Sequence, residues 1–356
     1  MIFKDLKVVE LASVLAGPAV GMFFAELGAE VIKIENKRTG GDVTRHWKLP
    51  KEDKNSTCSS YYHSVNWGKK SLLLDLRDPE DYELTMDYIE KADVVISNFK
   101  SGSAKGLKLD AATLRQLNPQ LIYASISAYG KDDLRPGFDV VIQAETGWMS
   151  MNGSPDGPPV KMPVALMDIL AAHQLKEGIL VALIQRMKTG KGSEVSISLF
   201  DAGVASLANQ AANWLNAGHL PKRMGSKHPN IAPYGDIFET GDNQSIIVSA
   251  ATERQYRSLL ECLHITELKD DSRFADNRMR LRHRAELNQY LARAFKKYTI
   301  GEVLERCYAS QVPVAPIHDI AQVFEFPAAK RLILEEDLPD GGKSKRVKTA
   351  VFRLKN

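Results

Sequence analysis

Short runs of Val, Ile and Leu alternate with helix-spaced segments through the first two hundred residues. LKVVEL (6–11), EVIKIE (30–35), SLLLDL (71–76), DVVISNF (93–99) and QLIYASIS (120–127) read as strands. Between them, GPAVGMFFAELGA, PEDYELTMDYIEKA and LDAATLRQLNP carry the apolar spacing of helices. Strands this apolar, joined by helices, predict a mostly parallel sheet with helices over its faces. Ligands on such sheets bind beyond the carboxyl ends of the strands, so the loops after residues 10, 35, 76, 97 and 127 are the ones to watch.

Further along, a long helix is expected from about 164 to 187, closed by TGKG (189–192). EVSISL (194–199) reads as a strand and DAGVASLANQAANWLNAG as one helix. From about 220 the texture changes: PKRMGSKHPNIAPYG is basic, rich in Gly and Pro and aperiodic, the signature of a linker or an active-site loop. SIIVSA (245–250) reads as a strand, followed by charged helical stretches at 253–263, 283–297 and 300–309. Two prolines in VPVAPI (312–317) break the pattern, and the remainder is short, charged and irregular.

Composition narrows the class. A net charge of +3 with no long block of either sign argues against a nucleic-acid-coating protein and leaves small anionic ligands open. Cys58, Cys262 and Cys307 stand far apart and in no metal-ligand spacing, so a reducing, cytoplasmic setting is expected. The N-terminal apolar run contains acids and reads as a buried strand, not a signal peptide. No apolar run reaches the roughly 18 residues that span a membrane, and no membrane partner is expected.

No G-x-G-x-x-G follows the first strand, and neither a P-loop nor a G-x-S-x-G occurs. The histidines are scattered, His46 and His63 forming the nearest loop pair; they read as surface or hydrogen-bonded residues, with no metal expected. Asp168, in PVKMPVALMDILAAHQ, sits in an apolar run at the start of the long helix. An acid there either complements the helix dipole or is a functional group. Desolvated beside helix N–H groups, it could be both ionised and nucleophilic.

Asp168 has company. VVELASVLAGPAVGMFFAELGAEVIKIE, GKKSLLLDL, DVVISNF, LNPQLIYASISAYG, FDVVIQAETG and TGKGSEVSISLFDA occur in a fixed order around it. Together they resemble the class III CoA-transferase family (the CaiB/BaiF group), which includes formyl-CoA transferase, carnitine CoA-transferase and α-methylacyl-CoA racemase. The similarity runs from about residue 3 to about 350. It implies a Rossmann-like large α/β domain (1–221), a small α/β domain (222–312), a C-terminal segment (313–356) returning to the large one, and an interlocked homodimer. It implies that Asp168 attacks an acyl-CoA donor, passes through a mixed anhydride to an aspartyl-CoA thioester, and hands CoA to an acceptor carboxylate. Coenzyme A is then a substrate, and no tightly bound cofactor is expected.

The resemblance also assigns binding positions. Val14 and Ala16 match loop positions whose backbone nears the CoA thiol end, with Gly17 permitting close approach. Leu74, Arg77, Asn98, Phe99 and Lys105 match the lining of the nucleotide part, although Leu74 and Phe99 read equally well as core. Lys37, Arg38, Arg77, Lys105 and Arg135 fall in ligand-side loops, where CoA phosphates need cations; each could also be an ordinary surface charge. Trp47 and Tyr61 match positions near the substrate in the transferases, with surface or core packing as the alternative.

Departures from the family pattern sharpen the reading. The racemases carry a histidine at the position of Phe138, before Asp139, and a phenyl ring cannot exchange a proton. His173 lies on the same helix as Asp168 and is a poor replacement. Formyl-CoA transferase has tyrosine at the Phe138 position and glutamine at the Leu15 position, so this chain is expected to offer a less polar acyl pocket. No glycine-run loop of the formyl-CoA transferase kind occurs around 220–245, and the sequence stops near VFRLKN, short of the G-E-H-T-containing segment common in the family. A CoA-transferase is therefore expected, with a racemase of the same fold or a non-catalytic CoA-binding protein as alternatives. The acids it exchanges are not legible here.

Overall fold

The computed structural model describes residues 1–100, 102–338 and 342–354. They form two compact units: Met1–Trp148, Lys161–Ala212 and Ala328–Asn356 make the first, and Met149–Val160 with Asn213–Pro327 make the second.

The first unit is built on a six-stranded sheet. Its chain runs β1 (Lys7–Leu11), α1 (Ala16–Glu26), β2 (Glu30–Asn36), α2 (Ser60–His63), β3 (Lys69–Leu74), α3 (Pro79–Glu90), β4 (Val94–Ser97), α4 (Ser103–Gly106), α5 (Ala111–Leu117) and β5 (Ile122–Ser127). It continues through α6 (Asp139–Glu145), α7 (Trp148–Met151), α8 (Leu166–Thr189), β6 (Glu194–Ser198), α9 (Leu199–Ala205) and α10 (Ala208–Ala217). The strand order is β3-β2-β1-β4-β5-β6 and every pairing is parallel. This is a doubly wound sheet whose winding reverses between β1 and β4, so the loops after those two strands flank its crevice.

Helices cover both faces, as the strand composition requires. On one face Val8, Val31, Val94 and Ile96 pack with Val20 and Phe24 of α1 and with Ala171, Leu175 and Ile179 of α8. On the other, Val9, Ile32, Ile34 and Val95 pack with Ile89 of α3 and Leu114 of α5. Asp78 caps α3 by accepting from Glu80 N and Asp81 N, with Pro79 in the first turn.

Two details differ from the sequence expectation. β3 begins at Lys69, not Ser71, because it pairs with β2 from Val31↔Lys69 to Asn36↔Leu74 and the partner strand sets its ends. The single helix expected after β6 is two, α9 and α10, broken where Ala208 adopts φ 46°.

Charge is also buried where the strands read as apolar. Lys33 on β2 and Glu10 on β1 are fully buried and meet at 2.9 Å. Lys33 also reaches Asp42 at 3.2 Å and the Ala12 carbonyl at 2.7 Å. Lys69 donates to the same Glu10 at 2.8 Å. Gly21 of α1 leaves room for this cluster, since a Cβ there would lie 1.9 Å from Glu10 Oε2. Burial pulls Lys33 down, but Glu10 and Asp42 outweigh it and hold the ammonium above its usual range.

In the second unit, β7 (Tyr234–Glu239), β8 (Ser245–Ser249) and β9 (Val314–Pro316) form an antiparallel sheet in that order. Helices α11 (Glu253–Cys262), α12 (Asn277–Arg282), α13 (Arg284–Phe295) and α14 (Ile300–Ala309) pack a separate core of Phe238, Tyr256, Leu260, Leu291 and Phe295. Arg284 binds Asp236 with 2.6 Å between Nη2 and Oδ2. The two prolines near 312–317 do not abolish strand structure: Pro313 precedes β9 and Pro316 is its last residue, on an edge strand where a missing N–H is tolerated.

The chain beyond residue 327 is more regular than its charge pattern suggests. β10 (Ile333–Asp337) and β11 (Lys343–Val347) form an antiparallel hairpin of the first unit. Thr349 N and Ala350 N then donate to the Glu26 carboxylate at the end of α1, at 3.0 and 2.8 Å.

Removing one partner of a buried ion cluster strands the others without water. Lys33→Met leaves Glu10 and Asp42 without this ammonium, so we expect a loss of about 3–5 kcal/mol of unfolding free energy. Urea denaturation followed by circular dichroism measures it.

Candidate active site

The loop after β1 is pinned at three successive residues. Lys33 Nζ holds the Ala12 carbonyl. Asn98, just past β4, accepts from Ser13 N at 3.1 Å and donates to Ser13 O at 2.8 Å. Val14 N donates to Asp42 Oδ2 at 3.1 Å. The pinning has a cost: Val14 has φ 71°, a left-handed conformation that a β-branched residue avoids and that is worth about 1–3 kcal/mol of strain. α1 opens directly after this loop, and its cap residue Leu15 has no side-chain bond to the first turn. The first-turn N–H groups at Ala16 and Gly17 therefore face the crevice without a side-chain acceptor. At Gly17 a Cβ would stand 2.3 Å from the Ala12 Cβ, so the chain's own packing already demands glycine there.

Asp168 sits in the first turn of α8 and is only 8% exposed. Burial, and then the negative charge of Asp139, push its carboxyl up to about 7. The dipole of α8 does not reverse this, because the first-turn amide of Met167 is already taken by Asp139 Oδ1 at 2.7 Å. Among the described residues none donates a hydrogen bond to the Asp168 carboxylate. The sequence allowed an ionised nucleophile supported by helix N–H groups; the structure gives a bare carboxyl balanced between its two forms at neutral pH.

Tyr61 on α2 lies within electrostatic reach of this carboxyl. Burial, followed by the charges of Asp168, Asp139 and Asp42, raises its hydroxyl to about 12, so it stays a neutral donor. Trp47 packs edge-on against Tyr61, ring centroids 5.1 Å apart. Phe138 caps α6 beside Asp139 and leaves most of its ring exposed. Asp168, Asp139 and Tyr61 are thus near enough to act on one another electrostatically, Trp47 packs on Tyr61, and Asp42 is bonded to the Val14 loop.

The remaining sequence candidates divide. Leu74 is buried in the core on the α3 face, and Phe99 packs at the edge of the same cluster. Lys37 reaches Asp81 at 3.6 Å and Arg38 reaches Asp75 at 3.9 Å, both with exposed side chains. Arg77 donates its backbone N–H to that same Asp75, so these three cations stand at one edge of the carboxyl ends. Lys105 is exposed on α4. Arg135 lies elsewhere, bound to Asp133 at 2.9 Å and Glu145 at 3.4 Å and stacked 3.9 Å over Tyr129.

Sequence reading missed Asp42, Lys33 and Gln143. Lys33 had a signal: a lysine at an inward position of an otherwise apolar strand, EVIKIE, needs a buried partner. Asp42 and Gln143 carried no comparable mark. No group of residues able to hold a metal ion occurs among the described residues. No described helix is long and apolar enough to cross a membrane.

The chain belongs to the family described as CoA-transferase family III, whose profile matches residues 3–356. It is 38% identical over 341 residues to the succinate–glutarate CoA-transferase of Agrobacterium fabrum, covering 94% of this chain and 84% of that one. It is 34% identical to human succinyl-CoA:glutarate CoA-transferase, covering 96% and 77%. A crystal structure of a CaiB/BaiF family protein from Brucella suis, 39% identical, superposes with a TM-score of 0.84 over 98% of this chain and 92% of that one. The protein is a class III CoA-transferase, acting on acyl-CoA and carboxylate substrates.

A carboxyl that titrates near 7 when folded and near 3.8 when free binds its proton more tightly in the folded state. Its burial therefore costs nothing below about pH 4, and the penalty grows as the pH rises through 7. The full penalty is on the order of 4 kcal/mol. Asp168→Asn is expected to raise Tm at about pH 8, with the gain fading as the pH falls toward 4. Calorimetric melts across that range check the sign.

Proposed function

We propose that this enzyme moves coenzyme A between small dicarboxylic acids, with succinyl-CoA as donor and glutarate as acceptor, through a covalent intermediate on Asp168. The observation that carries the mechanism is the bare, buried Asp168 carboxyl beside a neutral Tyr61. The acids are suggested by relatives named for succinate and glutarate, and by apolar Leu15 and Phe138.

The Asp168 carboxylate oxygen attacks the thioester carbonyl, the C–S bond breaks, and CoA thiolate leaves behind a mixed anhydride. The thiolate then attacks the aspartyl carbonyl, expelling the donor acid as its carboxylate and leaving an aspartyl-CoA thioester. The acceptor carboxylate attacks that thioester, thiolate leaves again, and its return to the acceptor's acyl carbon frees product thioester and regenerates Asp168. Each addition builds an oxyanion, and the Tyr61 hydroxyl together with the first-turn amides of α1 supplies donors on that side of the site. Low water access protects the anhydride from hydrolysis. The cations at Lys37, Arg38 and Arg77 suit the phosphates of CoA, whereas Lys105 is exposed on α4 and Arg135 is bound to Asp133 and Glu145. Racemisation finds no second base: Phe138 occupies that place, and Asp139 has both oxygens engaged.

The assembly we propose is a homodimer. Val181, Ile184 and Met187 leave an apolar stripe exposed along α8 that a second copy would cover. Sedimentation should give twice the 39.5 kDa chain mass.

With succinyl-CoA and glutarate, mass spectrometry should detect glutaryl-CoA, and hydroxylamine should trap Asp168 as its hydroxamate. The rate of adduct formation should rise with pH through about 7, as Asp168 ionises. Asp168→Asn should form no adduct and lose at least about 1,000-fold in kcat. Full transfer activity in that variant would overturn the mechanism; release of a single CoA-free acid with no acceptor thioester would overturn the substrate pair.

A further inference from the structure

Gln143 is completely buried one turn beyond Asp139 on α6. Its Oε1 accepts the Met162 N–H at 2.8 Å, in the segment that leads into α8. Its Nε2 donates to Asp139 Oδ2 at 2.7 Å. The first bond fixes the second: an amide that has given its oxygen to a backbone N–H has only its NH2 left for the carboxylate.

Asp139 therefore receives two N–H donors, Gln143 on Oδ2 and the Met167 amide on Oδ1. Hydrogen bonds of this kind favour the charged form of a carboxylate. Asp168 follows Met167 in the chain and has no such donor among the described residues. Of two neighbouring carboxyls, one is bonded twice and held in place, and the other is bare.

We propose that Gln143 is a positioning residue for Asp168: it pins Asp139 across the start of α8, and so sets how near the Asp139 carboxyl stands to that of Asp168. This rests on the reading of Asp168 as the nucleophile. Other titratable groups around the pair leave that assignment in place. Tyr61 from α2 stays neutral, Asp42 is tied to Lys33, Asp201 of α9 accepts from Ser198 Oγ at 2.7 Å, and Glu145 of α6 is bound to Arg135. Gln143 touches neither substrate nor the reacting oxygen, so its effect is carried by Asp139 and by the direction of the first turn of α8.

Two variants move the pair in opposite directions. Gln143→Leu removes the donor that holds Asp139 in place, so Asp139 is free to move away from Asp168, and Asp168 ionises at lower pH. Gln143→Glu keeps the size and the acceptor for Met162 N but replaces the donor by a further negative charge once ionised, so Asp168 ionises at higher pH. The experiment is single-turnover adduct formation from succinyl-CoA on the full-length protein, read by intact mass between about pH 5 and 9. We expect the midpoint of the acidic limb to fall by about one pH unit in Gln143→Leu and to rise by a similar amount in Gln143→Glu. Unmoved midpoints in both, or shifts in the same direction, overturn the proposal; a merely structural glutamine would lower rate or Tm and leave the limb in place. If the leucine variant fails to fold, the near-isosteric glutamate variant decides alone. Asp168→Asn is run alongside: an adduct there faults the nucleophile assignment, while no adduct there with unmoved limbs faults Gln143 alone.

Discussion

A single buried ammonium organises the crevice of this enzyme. Lys33 sits where no water reaches it and so must find its hydrogen bonds within the chain. It finds Glu10 on the neighbouring strand, Asp42 from the segment after its own strand, and the carbonyl of Ala12. Those contacts join β1, β2 and the loop between β1 and α1 into one rigid piece. Asp42, held in this way, then fixes Val14 in a conformation valine does not choose. The strain at the loop is sustained by charge buried behind it, which is how local strain persists in folded proteins.

The same logic of competition for donors runs through the Asp168 carboxyl. A helix N-terminus offers a few unpaired amides, and an acid in the first turn usually enjoys them. Here Asp139 reaches across from another helix and takes the Met167 amide, leaving Asp168 to burial alone. An acid stabilised by those amides would be fully ionised at neutral pH but a weaker nucleophile. An acid deprived of them is a stronger one, available over half the population. The arrangement trades charge for reactivity, and the folded chain carries the cost as lost stability.

Much of this architecture is written in the order of apolar runs. The expected strands at 6–11, 30–35, 71–76, 93–99, 120–127 and 194–199 all exist, because strands buried on both faces must be apolar throughout and so stand out. The place of Asp168 in the first turn of the long helix was legible for a related reason, an acid within an apolar helix start. What stayed hidden depends on pairing across distance. The hairpin β10–β11 looks like charged loop because its exposed face carries Glu335 and Lys345, which pair with each other. Gln143 looks like any helical glutamine until Asp139 and Met162 are placed around it. Lys69, which burial lowers to about 7, resembles a surface lysine until Glu10 lies beneath it. The sheet order matches that of dinucleotide-binding proteins, yet the glycine fingerprint is missing, since Val14 and its pins shape the first turn in place of glycines.

The first compact unit is not continuous in sequence, and this bears on how the protein is born. Its sheet is complete once β6 has left the ribosome, but the hairpin packed by Trp67 and the backbone that satisfies Glu26 lie beyond Pro327. The whole of the second unit's main segment is translated in the interval, on the order of ten seconds at ordinary rates. For that time Glu26 and the edge near Trp67 wait without their native partners. Nascent chains of this enzyme thus pass through a window in which the catalytic sheet is formed but unclasped, and in which a chaperone or a neighbouring nascent chain has access to a surface the finished protein conceals.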